Sequence, residues 1–473
     1  MKRRAAAVLL TAALTLAPAA NAQTVDLAPR PPEPAPVPFR FPVVTTRTLP
    51  NGLRLVVSEN HAVPVVAVRI ETFADSTLDP AGLHGLSDVV EHSLGQASAR
   101  FSSAALSDTL AALGVSFNDT SFSTRVGNLP AVLGIMADLL MHPVFTDASV
   151  DAAKAAVAQS RRSVENSTSG LAREVMYGAL FGASNPFGNR PTVASIAAIS
   201  RHDVERFHAD WYRPDRLTLI MVGDVTPAAA EREAMRAFGS WRAVASAPAM
   251  PSGAPISAPA TPAPTTIYLI DRPGAKQSTI VLGAVGPAPT PADYAAASAL
   301  DANFGATASS RLTQTLRQQH AWAYTASSRV DLHRADEPTV LWASADVAPA
   351  ATDSSVAAAL QALRAAGQPD ANDETGLRSA NAIVLGTLQR LIATDDALAA
   401  RLKGVVESGL GVDFYVRLAS AMDHVTAEQV AQVANAYDNP DHLVVVVVGD
   451  RASIEAPLRA LGHPLVNVPP PGP

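Results

Sequence analysis

The sequence predicts an α+β fold made of two duplicated domains, each a largely antiparallel sheet packed with helices. Three observations carry this. The chain repeats itself once without a gap. Strand-like segments are followed by runs of helices instead of alternating strictly with them. The run Val444–Val448 is apolar on both faces, as a central strand must be.

The repeat is explicit. Residues 200–224 read SRHDVERFHADWYRPDRLTLIMVGD and residues 426–450 read TAEQVAQVANAYDNPDHLVVVVVGD, so every position is displaced by 226. Pro214 matches Pro440, Asp215 matches Asp441, and Gly223-Asp224 matches Gly449-Asp450. Ser200 and Thr426 stand where an N-cap belongs, with Asp203 and Gln429 three residues on to close a capping box. Each copy thus reads as cap, amphipathic helix, turn, β-branched strand and Gly-Asp turn. Asp224 and Asp450 are read as turn formers.

The elements follow in order. Lys2, Arg3 and Arg4, the apolar stretch Ala5 to Ala19 and the small residues Ala20-Asn21-Ala22 read as a signal peptide over 1–22. A periplasmic or secreted protein is expected. Residues 23–43 form a Pro-rich spacer. The first domain spans 44–243, with strands at Arg47–Ser58, Val63–Phe73 and Leu217–Val222 and helical patterns at 127–142 and 147–166. Residues 244–265, rich in Ala, Pro and Ser, form the linker. The second domain spans 266–466, with strands at Thr266–Asp271, Gln277–Val285 and Leu443–Val448 and a helical pattern at 353–366. A tail occupies 467–473.

Composition excludes several functions. A net charge of −7 provides no basic footprint for nucleic acid. No segment after the signal peptide has the length and apolarity of a membrane span. With no cysteine, any metal must be held by His, Asp or Glu.

One motif carries chemistry. Residues 85–92 read Gly-Leu-Ser-Asp-Val-Val-Glu-His. A histidine in place of Asp88 would make this His-x-x-Glu-His, the inverted zinc-peptidase signature. Positions i and i+4 share a helix face and grip one metal, while the glutamate between them takes a proton from water. Asp88 and His92 are therefore the candidate metal ligands and Glu91 the relic general base. His84, one turn before Asp88, is a conceivable third donor.

Around this motif the chain resembles the pitrilysin/insulinase family of zinc peptidases, in the short two-domain form of mitochondrial processing peptidase subunits and bacterial homologues. The resemblance runs through Leu49-Pro50-Asn51-Gly52-Leu53, Gly85–His92, Leu113-Gly114, His142-Pro143-Val144-Phe145, Asn185-Pro186-Phe187-Gly188 and Gly223-Asp224. In the second half it includes Ser310-Arg311-Leu312 and the stretch from Arg317 to Tyr324.

The resemblance implies half of a clamshell chamber. In it a peptide adds to a sheet edge beside a zinc ion, and an arginine and a tyrosine reach in from the opposite half. Here Arg317 and Tyr324 match that pair, and Asn118 matches a position near the substrate strand. The third zinc ligand, a glutamate on a later helix, falls at Gln159 or Ser160, and its acidic support falls near Ala153; Glu165 is a displaced substitute if the register slips.

The expected function is the non-zinc subunit of a heterodimeric metallopeptidase. The chain itself binds zinc weakly or not at all, Zn(II) sits in a homologous partner subunit, and peptides are the substrates. A self-dimer is the other assembly considered. Two rival functions remain. One is an autonomous zinc endopeptidase with an Asp88/Glu91/His92 site. The other is a non-enzymatic peptide-binding or scaffold homologue.

Overall fold

The computed structural model describes residues 39–469 apart from 118–119, 184, 244–247, 249–263, 287, 289, 332–336 and 440–442. Two mixed, largely antiparallel sheets organise it. The first has five strands: β1 (Thr45–Thr48), β2 (Arg54–Glu59), β3 (Val65–Thr72), β4 (Ser121–Arg125) and β5 (Leu217–Gly223), in the order β1-β2-β5-β3-β4. The second has six: β6 (Thr266–Asp271), β7 (Ser278–Val285), β8 (Ala323–Asp331), β9 (Val340–Val347), β10 (Leu443–Gly449) and β11 (Leu465–Val468), in the order β11-β6-β10-β7-β9-β8.

The centres of the two sheets repeat. β2 runs parallel to β5 and β5 antiparallel to β3. Likewise β6 runs parallel to β10 and β10 antiparallel to β7. The helix before each central strand, Arg201–Trp211 or Ala427–Tyr437, opens with the capping box expected from Ser200/Asp203 or Thr426/Gln429. Pro440 and Asp441 lie outside the described residues. The expected strand Arg47–Ser58 is instead two antiparallel strands, β1 and β2, because Leu49–Leu53 closes a turn in which the Leu49 amide donates to the Leu53 carbonyl at 2.8 Å. A strand read by apolar alternation alone runs straight through such a turn.

Both central strands are buried along their whole length, so both sheets need cover on two faces. On one face of β10, Val445 and Val447 pack into the core of the second half. On the other, Val446 and Val448 pack with Leu171, Met176 and Leu180, from helix Thr168–Phe181 of the first half. The first sheet mirrors this. Leu219 and Met221 of β5 join the core of the first half. Ile220 and Val222 pack against Leu398, Ala399 and Leu402, from helix Asp395–Glu407 of the second half. Each half therefore lends a helix to the other's sheet. No helix among the described residues is long and apolar enough to cross a membrane.

Gly283, in β7 beneath the first exchanged helix, makes one of these contacts possible. A Cβ there would overlap the Met176 thioether. Gly283→Ala is expected to lower stability by about 1–3 kcal/mol, the usual cost of overfilling a packed core. Urea denaturation of Gly283→Ala, Met176→Ala and the double variant checks this. The double variant should lose less than the two single losses added together; strict additivity would mean the two residues do not share the space.

Candidate functional site

Helix Leu86–Ser93 carries the zinc-like motif. Its start is fixed by Gly85, held at φ 95, a left-handed conformation that glycine adopts without strain. Asp79 accepts hydrogen bonds from the amides of Gly85 (2.6 Å) and Ser87 (2.8 Å) and so caps the helix. Leu86, Val89 and Val90 face the core. Asp88 and His92 are thereby turned outward, with Glu91 half-buried beside them. The helix packs on helix Asp147–Asn166, the element expected to bring the third ligand.

The donors do not gather. His92 is exposed, and its Nδ1 lies 2.9 Å from the carbonyl oxygen of Asp88. Solvent reaches Asp88, yet enough protein surrounds its carboxyl that desolvation raises its pKa against the opposing pull of His92. His84 precedes the helix, so it does not stack one turn below Asp88. Its Nε2 lies 2.8 Å from the Asn189 amide nitrogen. On the later helix Gln159 and Ser160 are exposed and Ala153 is buried. Glu165 is occupied by Arg161 at 3.0 Å, and Arg161 in turn holds Glu174 at 2.6 Å. Among the described residues no three His, Asp or Glu side chains are grouped so that they could hold a metal ion. Asn118 lies outside the described residues.

Behind the motif sits a charged cluster that sequence reading missed. Glu71 of β3 is 3% exposed and pairs with Lys403 of the exchanged helix Asp395–Glu407 at 2.7 Å. Burial pushes Glu71 up to about 7 although Lys403 pulls it down, and the charges of Glu407 and Glu91 add to the rise. Burial alone would lower the Lys403 ammonium, but Glu71, Glu407 and Glu91 together hold it above its ordinary value. Two residues along the same strand, Arg69 meets Asp396 at 2.9 Å. The available signal was local. Arg69 and Glu71 share one strand face, Asp396 and Lys403 share one helix face, and their charges are complementary.

The structure brings Arg317 and Tyr324 together. Arg317 lies in a π-helix, Gln314–Gln319, and Tyr324 lies at the start of β8, the edge strand of the second sheet. The chain turns between them at Ala321, with φ 52, held by hydrogen bonds from the Ala321 amide to Arg317 O (3.1 Å) and from the Trp322 amide to Leu316 O (2.8 Å). The guanidinium sits over the phenol ring, 5.2 Å from its centroid. Both side chains are exposed, Tyr324 at 76%. A large aromatic with so little burial contributes little to the core, and its cation–π contact at an exposed site is worth only about 0.5–1 kcal/mol.

Comparison with known proteins bears on the family and the fold. Residues 54–186 match the family model described as insulinase (peptidase family M16), and residues 198–375 match the peptidase M16 inactive domain. An uncharacterized zinc protease of Streptomyces coelicolor is 26% identical over 60% of this chain and 64% of its own length. An uncharacterized zinc protease of Mycobacterium leprae is 26% identical over 61% of this chain and 66% of its own. The chain thus spans just under two thirds of these curated relatives. A protease from Helicobacter pylori shares the fold with a TM-score of 0.75 at 18% identity, covering 86% of this chain and all (100%) of that one. The first half of the periplasmic protease PqqL from Escherichia coli shares it with a TM-score of 0.66 at 15% identity, covering 90% and 98%.

The Glu71 carboxyl generates a test. The folded chain holds its proton up to about pH 7, whereas an unfolded chain releases it near the ordinary 4.5. Between those values the folded state binds more protons, so the contribution of Glu71 to stability falls as pH rises. Relative to Glu71→Gln, the wild-type protein should lose up to about 3 kcal/mol across that window. Urea denaturation at about pH 5 and about pH 8 measures it. A pH-independent difference would mean that Lys403 keeps the carboxylate ionised throughout.

Proposed function

Because the chain belongs to the insulinase (M16) peptidase family, we propose that it is the non-zinc subunit of a heterodimeric metallopeptidase that cleaves peptides in the periplasm or outside the cell. The asymmetry between two groups of residues carries this reading. The zinc motif has Asp88 where a histidine belongs, and its third donor is replaced or tied up in an ion pair. Arg317, in the π-helix, and Tyr324, on the edge strand β8, stay paired and exposed, where they serve no core. That is the expected pattern if they act on a substrate bound elsewhere. A two-part protease such as the one whose first half shares this fold is the kind of assembly in which they would do so.

The roles follow from the groups. Attack on a peptide carbonyl drives negative charge onto its oxygen. The Tyr324 hydroxyl donates a hydrogen bond to that oxygen, a contact that strengthens as the charge develops. Arg317, stacked on the ring, limits the tyrosine's swing and presents a fixed positive charge to the substrate backbone. Activation of the hydrolytic water would be supplied by a zinc ion held by the partner subunit. Glu91 keeps its place as the relic base without a metal beside it.

Two measurements test this. Elemental analysis of the purified chain should find zinc near zero; about one zinc per chain would make Asp88 and His92 true ligands. The chain alone should be inactive on peptides, and a mixture with a homologue that carries the complete motif should be active. Tyr324→Phe should then cost roughly 10²–10³ in rate, and Arg317→Ala should lower kcat/KM. Full activity of the mixture with either variant rules this role out. Activity of the chain alone, lost on Glu91→Gln, would favour an autonomous site. No activity in any mixture would leave a peptide-binding or scaffold role.

A further inference from the structure

Around Arg317 and Tyr324 the backbone departs from regular geometry three times. Arg317 lies in the π-helix Gln314–Gln319. Ala321 has φ 52, and among the described residues it is the one non-glycine residue with a positive φ. Tyr324 lies where β8 slips its register against β9, between Ala323 and Ala326. A π-helix is rare, a left-handed alanine is strained, and a register slip re-aims the side chains it carries. All three fall on the short segment that sets two exposed side chains against each other.

The two residues that flank Ala321 hold its turn. Trp322 packs against the core of the second half. Its amide donates to the Leu316 carbonyl at 2.8 Å, and its carbonyl accepts from the Ala348 amide at 3.1 Å, so it is tied both to the π-helix and to the end of β9. His320 is exposed and lays its ring flat on the Trp322 indole, with centroids 4.1 Å apart and 11° between planes. In an extended strand, rising about 3.3 Å per residue, side chains two positions apart stand about 6.6 Å apart. The bend at Ala321 closes that gap. Stacked rings attract each other beyond the area they bury, and this attraction offsets the strain of the alanine. Without it Ala321 is free to return to a negative φ, the region open to an L-residue. That is a rotation of roughly 110°, from 52 to about −60, in the backbone between Arg317 and Tyr324. It would carry the phenol out from under the guanidinium.

We propose that the His320–Trp322 stack is the positioning element of the Arg317–Tyr324 pair. It holds Ala321 in its left-handed turn and so keeps the phenol beneath the guanidinium and aimed outward from the edge strand. His320 and Trp322 act through the backbone between the pair and not on the substrate. The catalytic consequence rests on the subunit role proposed above; the geometric part concerns this chain alone.

The test has a partner-free arm and a catalytic arm. In the first, the full chain is labelled with meta-fluorotyrosine, and the Tyr324 fluorine resonance, one of seven, is identified by its loss in Tyr324→Phe. Arg317→Ala marks where that resonance falls when no cation lies over the ring. His320→Ala should move it toward the same place. His320→Phe, which keeps a flat ring on Trp322, should leave it near the wild-type position. His320 is exposed, so neither variant should unfold the chain. An unmoved resonance in His320→Ala overturns the proposal, and so does an equal displacement in His320→Phe. In the second arm, the chain is mixed with a homologue that carries the complete zinc motif. His320→Ala should lower kcat about 10–100-fold with little change in KM. Most of that loss should vanish in a Tyr324→Phe background, where no hydroxyl is left to misplace. An equal loss in both backgrounds overturns the proposal, because His320 would then act apart from Tyr324. If the wild-type mixture is inactive, the subunit role fails, and the fluorine resonance alone decides whether the stack positions the pair.

Discussion

Everything in this molecule depends on covering two sheets whose central strands are apolar on both faces. β5 and β10 are buried at every position, and a sheet of that kind is stable only as the middle of three layers. Each half supplies one covering layer from its own helices. The second layer comes from across the chain, as helix Thr168–Phe181 on the second sheet and helix Asp395–Glu407 on the first. The hydrophobic effect, worth about 25 cal/mol per Å² of buried apolar surface, therefore binds the two halves to each other as well as each half to itself.

That exchange also shapes the site. The second helix brings Lys403 to Glu71, directly behind the zinc-like motif. Behind the motif an ammonium group lies among three carboxylates, those of Glu71, Glu91 and Glu407. The neighbourhood still gathers negative charge, and the charge is balanced from within the chain. Arg317 and Tyr324 belong to the other half, in the π-helix and at the start of the edge strand that follows it, so changes at the motif leave them untouched. The two groups could diverge independently because no element holds them both.

What the sequence revealed and what it hid divide along a physical line. Features set by neighbours in the chain were legible: the capping boxes at Ser200 and Thr426, the double-faced valine strand, and the Arg317–Tyr324 pair seven residues apart. The β1–β2 turn was misjudged because apolar alternation continues across it. Features set by distant partners were hidden. An amphipathic stripe such as Leu171, Met176 and Leu180 says that a helix will bury one face, and nothing about which sheet it will meet. Glu71 reads as an exposed strand residue until Lys403 arrives from more than three hundred positions away.

The exchanged helices also dictate an order of events during synthesis. The first sheet is complete once residue 223 has been made, yet the helix that covers its second face ends at residue 407. Through that interval the nascent chain carries a bare apolar sheet face and an unpaired helix stripe, both of which invite association with other chains. Contacts of such long sequence range form slowly, because the loop must close before burial rewards it. A chain built this way gains by staying unfolded until it is whole and by collapsing in a single cooperative step. The same interlock that makes the finished protein one body makes any fragment of it a poor one.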